Sequence, residues 1–246
     1  MSKLVCLIVS VGDCIGAAIA KSFAKCGFTV CLARRDTSEF SGLIKEIQAS
    51  GETAHSYSMD AREEGQVIER YKAIETDIGP LETVISNVGG NVNFPIFETT
   101  ERVFYKVWQM TCFAGFLAGR EAARHLVPRG RGSIFFTGAT ESLRGASGHT
   151  AFSSAKFRLR SLAQAMKREL GPRGLPVAHL IIDSGGDTAF VRDRIKERGI
   201  NPDESPQDTL MSPDSVGKVY WDSHHQTRDA WTHEMGIRPF TENLKH

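Results

Sequence analysis

Short apolar runs alternate along the chain with longer segments in which apolar residues recur every three or four positions. The runs at 5–9 and 180–182 are almost unbroken, as in parallel strands that are buried on both faces. Strands are predicted at 4–10, 29–33, 54–58, 83–86, 133–137, 177–182 and 231–237. Helices are predicted at 16–26, 40–49, 64–78, 103–126, 149–170 and 212–223. This alternation indicates one α/β domain over residues 1–246, a doubly wound parallel sheet of about seven strands with helices on both faces.

The segment 183–212 interrupts the alternation. It contains two adjacent glycines and two prolines, with a short charged helix predicted at 190–198. A loop of this length inside a compact domain is more often functional than not. We predict a mobile substrate flap after the sixth strand.

Composition and charge restrict the possible partners. The 246 residues are 41% hydrophobic and 24% charged, which is typical of soluble globular proteins. Thirty basic and 29 acidic side chains leave a net charge of +1, which disfavours nucleic acid and anionic membranes and leaves a small-molecule substrate. Five cysteines without paired spacing predict neither disulfides nor a metal site. The first apolar run is too short for a signal peptide, so we expect a cytoplasmic protein.

The turn between the first strand and the first helix, residues 10–16, reads Ser-Val-Gly-Asp-Cys-Ile-Gly. In a doubly wound sheet this turn is normally rich in glycine, because its backbone amides approach the pyrophosphate of a dinucleotide. Gly12 and Gly16 make the turn a partial match, and an ordinary strand-to-helix turn is the alternative.

Two arginines, Arg34 and Arg35, follow the second predicted strand. An acidic residue at this place would accept hydrogen bonds from the 2′-hydroxyl of NAD, whereas a guanidinium group suits the 2′-phosphate of NADP. The pair therefore favours NADP, with two solvated surface arginines as the alternative.

Five segments, in order along nearly the whole chain, resemble the short-chain dehydrogenase/reductase family, whose fold is Rossmann-type. They resemble its glycine-rich loop, the aspartate that meets the adenine, its Asn-Asn-Ala-Gly stretch, its Tyr-x-x-x-Lys motif and its Pro-Gly…Thr loop beside the nicotinamide. In this chain the segments are 10–16, Met59-Asp60-Ala61, Ser86-Asn87-Val88-Gly89, Phe152-Ser153-Ser154-Ala155-Lys156 and 183–188. The segments 135–140, 163–172 and 230–234 resemble a subgroup of oxidoreductases of unknown substrate that has phenylalanine at the tyrosine position.

The resemblance implies an oxidoreductase that binds NADP, with NAD less favoured and the absence of any cofactor left open. The residues implied to contact the cofactor are Ser10, Gly12, Asp13, Cys14, Ile15, Gly16, Arg34, Arg35, Asp60, Ala61, Asn87, Val88, Gly89, Lys156, Asp183 and Thr188. Ser10, Cys14 and Ser184 stand where the family usually has glycine, and Asp183 stands where it has proline.

The resemblance also locates the catalytic positions. The family's tyrosine, lysine, serine and asparagine correspond to Phe152, Lys156, Ala139 and Thr111, so three of the four groups are replaced. A phenyl ring has no exchangeable proton, and general acid–base catalysis is worth roughly 10²–10⁴ in rate. We expect Lys156 to keep its role in binding the ribose.

Three neighbouring groups are candidates to replace the missing polar groups, and one of them is the hydroxyl of Thr137 at the end of the fifth predicted strand. His149 shares a helix face with Phe152 and Lys156, and the hydroxyl of Thr140 is one residue beyond Ala139. The alternative for His149 is a helix cap or a solvent-facing side chain.

Three functions are therefore open. The first is an NADP(H)-dependent oxidoreductase acting on a small or medium apolar metabolite with a non-standard proton donor. The second is a non-redox isomerase, cyclase or lyase in the same cleft, with the cofactor absent or structural. The third is an inactive NADP-binding partner subunit. The resemblance further implies a homodimer or homotetramer formed through the long helices 103–126 and 149–170.

Overall fold

The computed structural model describes residues 4–12, 14–187, 189–197, 199, 201–204, 206 and 208–241. Within them the strands are β1 (Val5–Val9), β2 (Thr29–Arg34), β3 (Ala54–Ser58), β4 (Leu81–Ser86), β5 (Ser133–Ala139), β6 (Val177–Ile182) and β7 (Glu234–Ile237). They form one parallel sheet in the order β3-β2-β1-β4-β5-β6-β7. The chain winds outward from β1 in both directions, which confirms the predicted doubly wound α/β fold.

The described helices are α1 (Ile15–Lys25), α2 (Phe40–Ala49), α3 (Glu64–Asp77), α4 (Glu101–Trp108), α5 (Ala114–Leu126), α6 (Thr150–Leu170), α7 (Ala189–Glu197) and α8 (Pro213–His224). Most predicted bounds agree with these within two residues. The last strand is an exception: Trp231 and His233 precede it, because β7 begins at Glu234.

The core has two layers, one on each face of the sheet. On one face α3, α5 and α6 pack through residues such as Tyr71, Leu117 and Leu159. On the other face α1, α2 and α8 pack through residues such as Phe23 and Tyr220. Burial on both faces is the reason that β1 and β6 lack polar alternation.

The predicted helix 103–126 is two helices rather than one. Between α4 and α5 lies a π-helical segment, Gln109–Phe113, in which the backbone bonds reach one residue further along the chain. The side chain of Thr111 is fully buried in this segment, and its hydroxyl has no hydrogen-bond partner among the described atoms. Single π turns of this kind are frequent at functional sites.

The segment 183–212 contains α7 and a short 3-10 turn, Pro202–Glu204. The backbone N–H of Asp187 donates to the carbonyl of Met211 at 2.8 Å, which closes the base of the segment. Its role as a substrate flap stays a prediction.

All strands point the same way, so their carboxyl ends meet at one edge of the sheet. The order reverses at β1 and β4, and in open α/β sheets ligands bind at such a reversal. The candidate site residues after β1, β2, β4, β5 and β6 lie at this edge.

Candidate active site

A cleft of about 630 Å³ opens at this edge. It is lined by residues that follow four different strands, and by two from the π segment and α5. The lining residues are Ser10, Val11, Gly12, Arg34, Arg35, Glu39, Met59, Asp60, Ala61, Arg62, Asn87, Val88, Gly89, Met110 and Ala114. Nine of the residues predicted to contact the cofactor are therefore in one cleft.

The turn after β1 forms one wall of the cleft. The Cβ of any residue replacing Gly16 would lie 2.9 Å from the Cα of Val11, so this position requires glycine. Beside Gly12 no described atom lies within 4 Å of the Cβ position, which leaves open space next to the backbone. Ser10 has a left-handed φ of +66°, a conformation that suits glycine better than serine. Its carbonyl accepts a hydrogen bond from Asn87 Nδ2 at 3.1 Å.

Two further residues of the predicted cofactor loop belong to α1 and not to the cleft lining. Cys14 occupies the N-cap position of α1 and Ile15 is its first residue. The N-terminus of α1, where backbone N–H groups point toward the preceding turn, therefore follows the turn directly, as phosphate binding requires. Asp13 lies outside the described residues, and so does Thr188.

Three arginines surround the mouth of the cleft and differ in their partners. Arg34 is paired with Glu39. Arg62 forms a two-bond ion pair with Asp60, at 2.9 Å from Nε to Oδ1 and 2.5 Å from Nη2 to Oδ2. The Arg35 guanidinium makes no hydrogen bond or ion pair with a described residue, and Arg35 is exposed. The hydrogen bond from Arg62 is the main cause that lowers the pKa of Asp60.

Lys156 lies at the inner end of the site. Its side chain is buried, and Nζ donates to the carbonyls of Val88 at 3.0 Å and Thr137 at 2.8 Å. Burial lowers the pKa of Lys156 to about 8. An ammonium group has three protons, so one remains for a ligand. The Cβ position of Gly89, a cleft residue, is 3.9 Å from Nζ.

Phe152 is part of a small apolar cluster and is only 4% exposed. The cluster combines residues of α4 and α6 with Val92 and Ala139. Lys156 Nζ lies 5.7 Å from the centre of the Phe152 ring. The Ala139 backbone N–H donates to Ser142 Oγ at 3.1 Å. The structure thus brings Phe152, Lys156 and Ala139 together, with apolar groups at two of the three places.

A second polar pair lies at the ends of β5 and β6. Thr140 Oγ1 donates to Asp183 Oδ1 at 2.7 Å. Asp183 is 3% exposed, and its second oxygen lies 3.8 Å from Arg238 Nη1. The side chain of Asp183 thus binds another candidate catalytic residue. The hydroxyl of Thr137, by contrast, is on the opposite face, 2.7 Å from the hydroxyl of Tyr220.

His149 lies at the start of α6 and is half-buried. Its Nδ1 is 3.1 Å from the carbonyl oxygen of Ser147 and 3.3 Å from Asn93 Nδ2. The side chain makes no capping hydrogen bond with the helix. His149 is therefore held by the loop after β4 and by its own chain neighbour.

Comparison with known proteins identifies the family. The short chain dehydrogenase model matches residues 4–197. The chain belongs to the short-chain dehydrogenase family. Gluconate 5-dehydrogenase of Gluconobacter oxydans is 28% identical over 171 residues, which cover 70% of this chain and 67% of the relative. The crystal structure of a short-chain dehydrogenase from Rhodopseudomonas palustris is 46% identical and covers 96% of this chain and 99% of its own, with a TM-score of 0.82.

Two solved structures of ElxO have the same fold at lower sequence identity. One has NADP bound, and the other is a tyrosine-to-phenylalanine variant with NADPH bound. Each is 22% identical, covers 97% of this chain and 98% of its own, and has a TM-score of 0.85. At this identity the likeness shows the fold alone.

Sequence reasoning missed one buried group of this short-chain dehydrogenase. His179, on β6, is fully buried, with Nδ1 3.4 Å from Glu234 Oε2. Arg160 binds the same carboxylate through two hydrogen bonds of 2.7 and 2.6 Å. Burial is the main cause that lowers the pKa of His179, so the ring is neutral at pH 7. Its Nε2 lies beside Gly138 on β5. A Cβ at Gly138 would be 2.6 Å from this nitrogen.

Arg62 was also missed, although it stands two residues after Asp60 and a two-residue spacing in a loop permits the observed pairing. No comparable signal marks His179, because its partners are far apart in the sequence. In the described part of the chain, no group of three or more His, Cys, Asp or Glu side chains could hold a metal ion. No described helix is long and apolar enough to cross a bilayer.

Proposed function

We propose that this short-chain dehydrogenase is an NADP(H)-dependent oxidoreductase that acts on a small or medium apolar metabolite with a proton donor other than tyrosine. The observation that carries the proposal is the exposed guanidinium of Arg35, which has no hydrogen-bond or ion-pair partner among the described residues and lies at a cleft otherwise shaped for a dinucleotide. Arg34 and Arg62 are already neutralised by Glu39 and Asp60. Arg35 is therefore the cation best placed to bind a 2′-phosphate.

The residues present fit NADP(H). The open space beside Gly12 and the N-terminus of α1 suit the pyrophosphate. Asp60 would bind the adenine, and the third proton of Lys156 would bind the nicotinamide ribose. When bound, the nicotinamide supplies or accepts the hydride.

Solved structures with the same fold support this choice of cofactor. ElxO binds NADP, and its tyrosine-to-phenylalanine variant binds NADPH. In that protein a phenylalanine in place of a tyrosine is thus compatible with binding of the cofactor. We infer that Phe152 is likewise compatible with cofactor binding, because it lies in the apolar cluster and is not among the residues that line the cleft.

The surroundings of Phe152 support an apolar substrate. Val92, Val103 and Ala139 pack beside it, and a phenyl ring and a methyl group replace the two hydroxyl groups of the family pattern. A polar substrate would leave its own groups without partners against this surface, at a cost of roughly 1–3 kcal/mol each.

A non-redox reaction in the same cleft is the second candidate function. The observation that favours it is Ser10, which occupies the turn in a left-handed conformation with a side chain where glycine is expected. Added atoms at this place narrow the approach of a pyrophosphate. This candidate requires that NADPH bind weakly or not at all.

We also propose that the protein forms homodimers or homotetramers through α4, α5 and α6. Four stacked aromatic rings run along α4, the π segment and α5: Tyr105, Trp108, Phe113 and Phe116. Tyr105 is 55% exposed and Phe157, on α6, is 40% exposed. An exposed row of large apolar rings is typical of an interface.

Calorimetric titration of the wild type and of Arg35→Ala with NADPH and NADH tests the proposed cofactor. We expect wild type to prefer NADPH, and Arg35→Ala to lose about 10- to 100-fold in affinity for NADPH but little for NADH, because a charge-assisted hydrogen bond is worth roughly 1.5–3 kcal/mol. Arg173→Ala, at an exposed arginine far from the cleft, is the matched control. Equal affinities of wild type for the two dinucleotides would contradict NADP dependence, and no binding of either would favour the non-redox reaction.

A further inference from the structure

This chain lacks the hydroxyl group and the proton donor that the family pattern has at Ala139 and Phe152. Another polar pair lies one residue beyond the ends of β5 and β6. In the sheet register, Ala139 on β5 stands beside Ile182 on β6. The residues that directly follow the two strands, Thr140 and Asp183, therefore lie close together. Their 2.7 Å hydrogen bond joins a hydroxyl group to a carboxyl group at the ligand-binding edge of the sheet.

Burial of the Asp183 carboxylate costs free energy of folding, and this cost points to a function other than packing. A carboxylate that is 3% exposed loses most of its hydration, and such groups need partners. Its described side-chain partners are one hydroxyl, at 2.7 Å, and the Arg238 guanidinium, at 3.8 Å. Proline, the residue that usually stands here in the family, would need neither. The buried carboxyl group is thus an addition at the site from which the usual acid is missing.

We propose that Thr140 and Asp183 are the acid–base pair of this enzyme. The proposal rests on the proposed oxidoreductase function. In the oxidation direction, Thr140 Oγ1 takes the proton of the substrate hydroxyl while its own proton passes to the Asp183 carboxylate. The substrate carbon then forms a carbonyl bond as its hydride leaves to the oxidised nicotinamide. In reduction each transfer is reversed, and Asp183 exchanges its proton with solvent beside the partly exposed Arg238.

The geometry favours this pair over His149. The Thr140 hydroxyl is already bonded to a carboxyl group, so a proton has a place to go. His149 Nδ1 faces a backbone carbonyl and the Asn93 amide, so this nitrogen is already engaged with its own loop and with the loop after β4. Thr140 also directly follows the position of the family's serine, whereas His149 precedes Phe152 by a full helical turn.

Asp183→Asn tests the pair, since it keeps the shape of the side chain and removes its acid. The first readout is the rate of NADPH oxidation with a small 1,2-diketone, whose electrophilic carbonyl carbon accepts hydride readily. We expect Asp183→Asn and Thr140→Val to slow the reaction roughly 100- to 10,000-fold, as for loss of an acid–base group. The second readout is the calorimetric affinity for NADPH. Because Asp183→Asn keeps the shape of the side chain and an accepting oxygen at this predicted cofactor contact, we expect the affinity to stay within about twofold. Asp222→Asn, at an exposed carboxylate on α8, is the control.

A rescue experiment separates proton transfer from a structural role. Adding Phe152→Tyr to Asp183→Asn returns a phenolic acid beside Lys156, and we expect it to restore at least about tenfold of the lost rate. If Asp183 had only a structural role, Phe152→Tyr would change the rate of wild type and of Asp183→Asn by the same factor.

Every other result contradicts either the proposed acid–base pair or the proposed function. An unchanged rate in Asp183→Asn, a lost affinity for NADPH in that variant, or the absence of rescue overturns the pair. Wild type that binds NADPH without reducing the diketone also overturns the pair, and leaves the choice of cofactor standing. Wild type that does not bind NADPH overturns the proposed function itself.

Discussion

Lys156→Met is expected to weaken NADPH binding about 100-fold at pH 7, by calorimetric titration. The variant removes a charge-assisted donor that is fixed before the ligand arrives, because the carbonyls of Val88 and Thr137 already hold the ammonium group. Such a bond to a ligand is worth roughly 1.5–3 kcal/mol. Lys167→Met, on the exposed face of the same helix, is the control and should bind NADPH as wild type does. Unchanged affinity in Lys156→Met would remove Lys156 from the cofactor site.

The same substitution should change how stability depends on pH. The pKa of Lys156 is about 8 in the folded chain, against 10.5 for an ordinary lysine. Below pH 8 the group is charged in both states, so the full cost of burying it opposes folding. Between pH 8 and 10.5 the folded chain binds fewer protons than the unfolded chain, so the free energy of unfolding rises with pH. Relative to Lys156→Met, wild type should gain stability across this window in urea denaturation. Parallel pH profiles for the two proteins would show that folding does not lower the pKa of Lys156.

Gly138→Ala is expected to destabilise the protein by about 3 kcal/mol, the upper range for an overpacked core. The added methyl group would lie 2.6 Å from Nε2 and 2.7 Å from Cε1 of His179, and 3.1 Å from Cγ1 of Ile181. The imidazole ring cannot move away, because it is fully buried beneath α6 and beside Glu234. The free energy of unfolding, measured in urea, gives the result directly.

A double-mutant cycle identifies the cause of this loss. His179→Ala alone leaves a cavity and should cost about 3 kcal/mol. In its presence Gly138→Ala should cost nothing further, since the methyl group then enters that cavity. Gly42→Ala, on an exposed helix position with no described atom near its Cβ, should instead stabilise the protein by about 1 kcal/mol. Additive costs of the two core substitutions would show that the ring and the methyl group do not meet.

The fold could be predicted from the chain because the pattern that specifies it is local. The buried runs of β1 and β6 and the helical spacing between strands are visible without any knowledge of contacts. The grouping of the candidate residues in one cleft could also be predicted, since the residues after successive parallel strands must meet at one edge of the sheet. Arg34, Arg35 and Asp60 line one cleft for this reason.

The remaining features depend on contacts between distant residues. The split between α4 and α5 has no local signal, because Thr111 and its neighbours satisfy an ordinary helical pattern. The pairing of Thr140 with Asp183 requires the register of β5 against β6, over a separation of 43 residues. The fit between Gly138 and His179 depends on the same register. Glu39 and Asp60 pair with two of the three arginines at the cleft, and their positions in space decide which arginine has no ion-pair partner among the described residues.

We propose that the cleft binds one NADP(H) per chain and that Arg35 selects the 2′-phosphate. Native mass spectrometry of the purified protein, mixed with equal and limiting amounts of NADPH and NADH, tests it most directly, because the masses of the two dinucleotides differ by the phosphate group. We expect a dominant species with one NADPH per chain and little protein that carries NADH. Equal occupancy by the two, a preference for NADH, or protein that carries neither would contradict it.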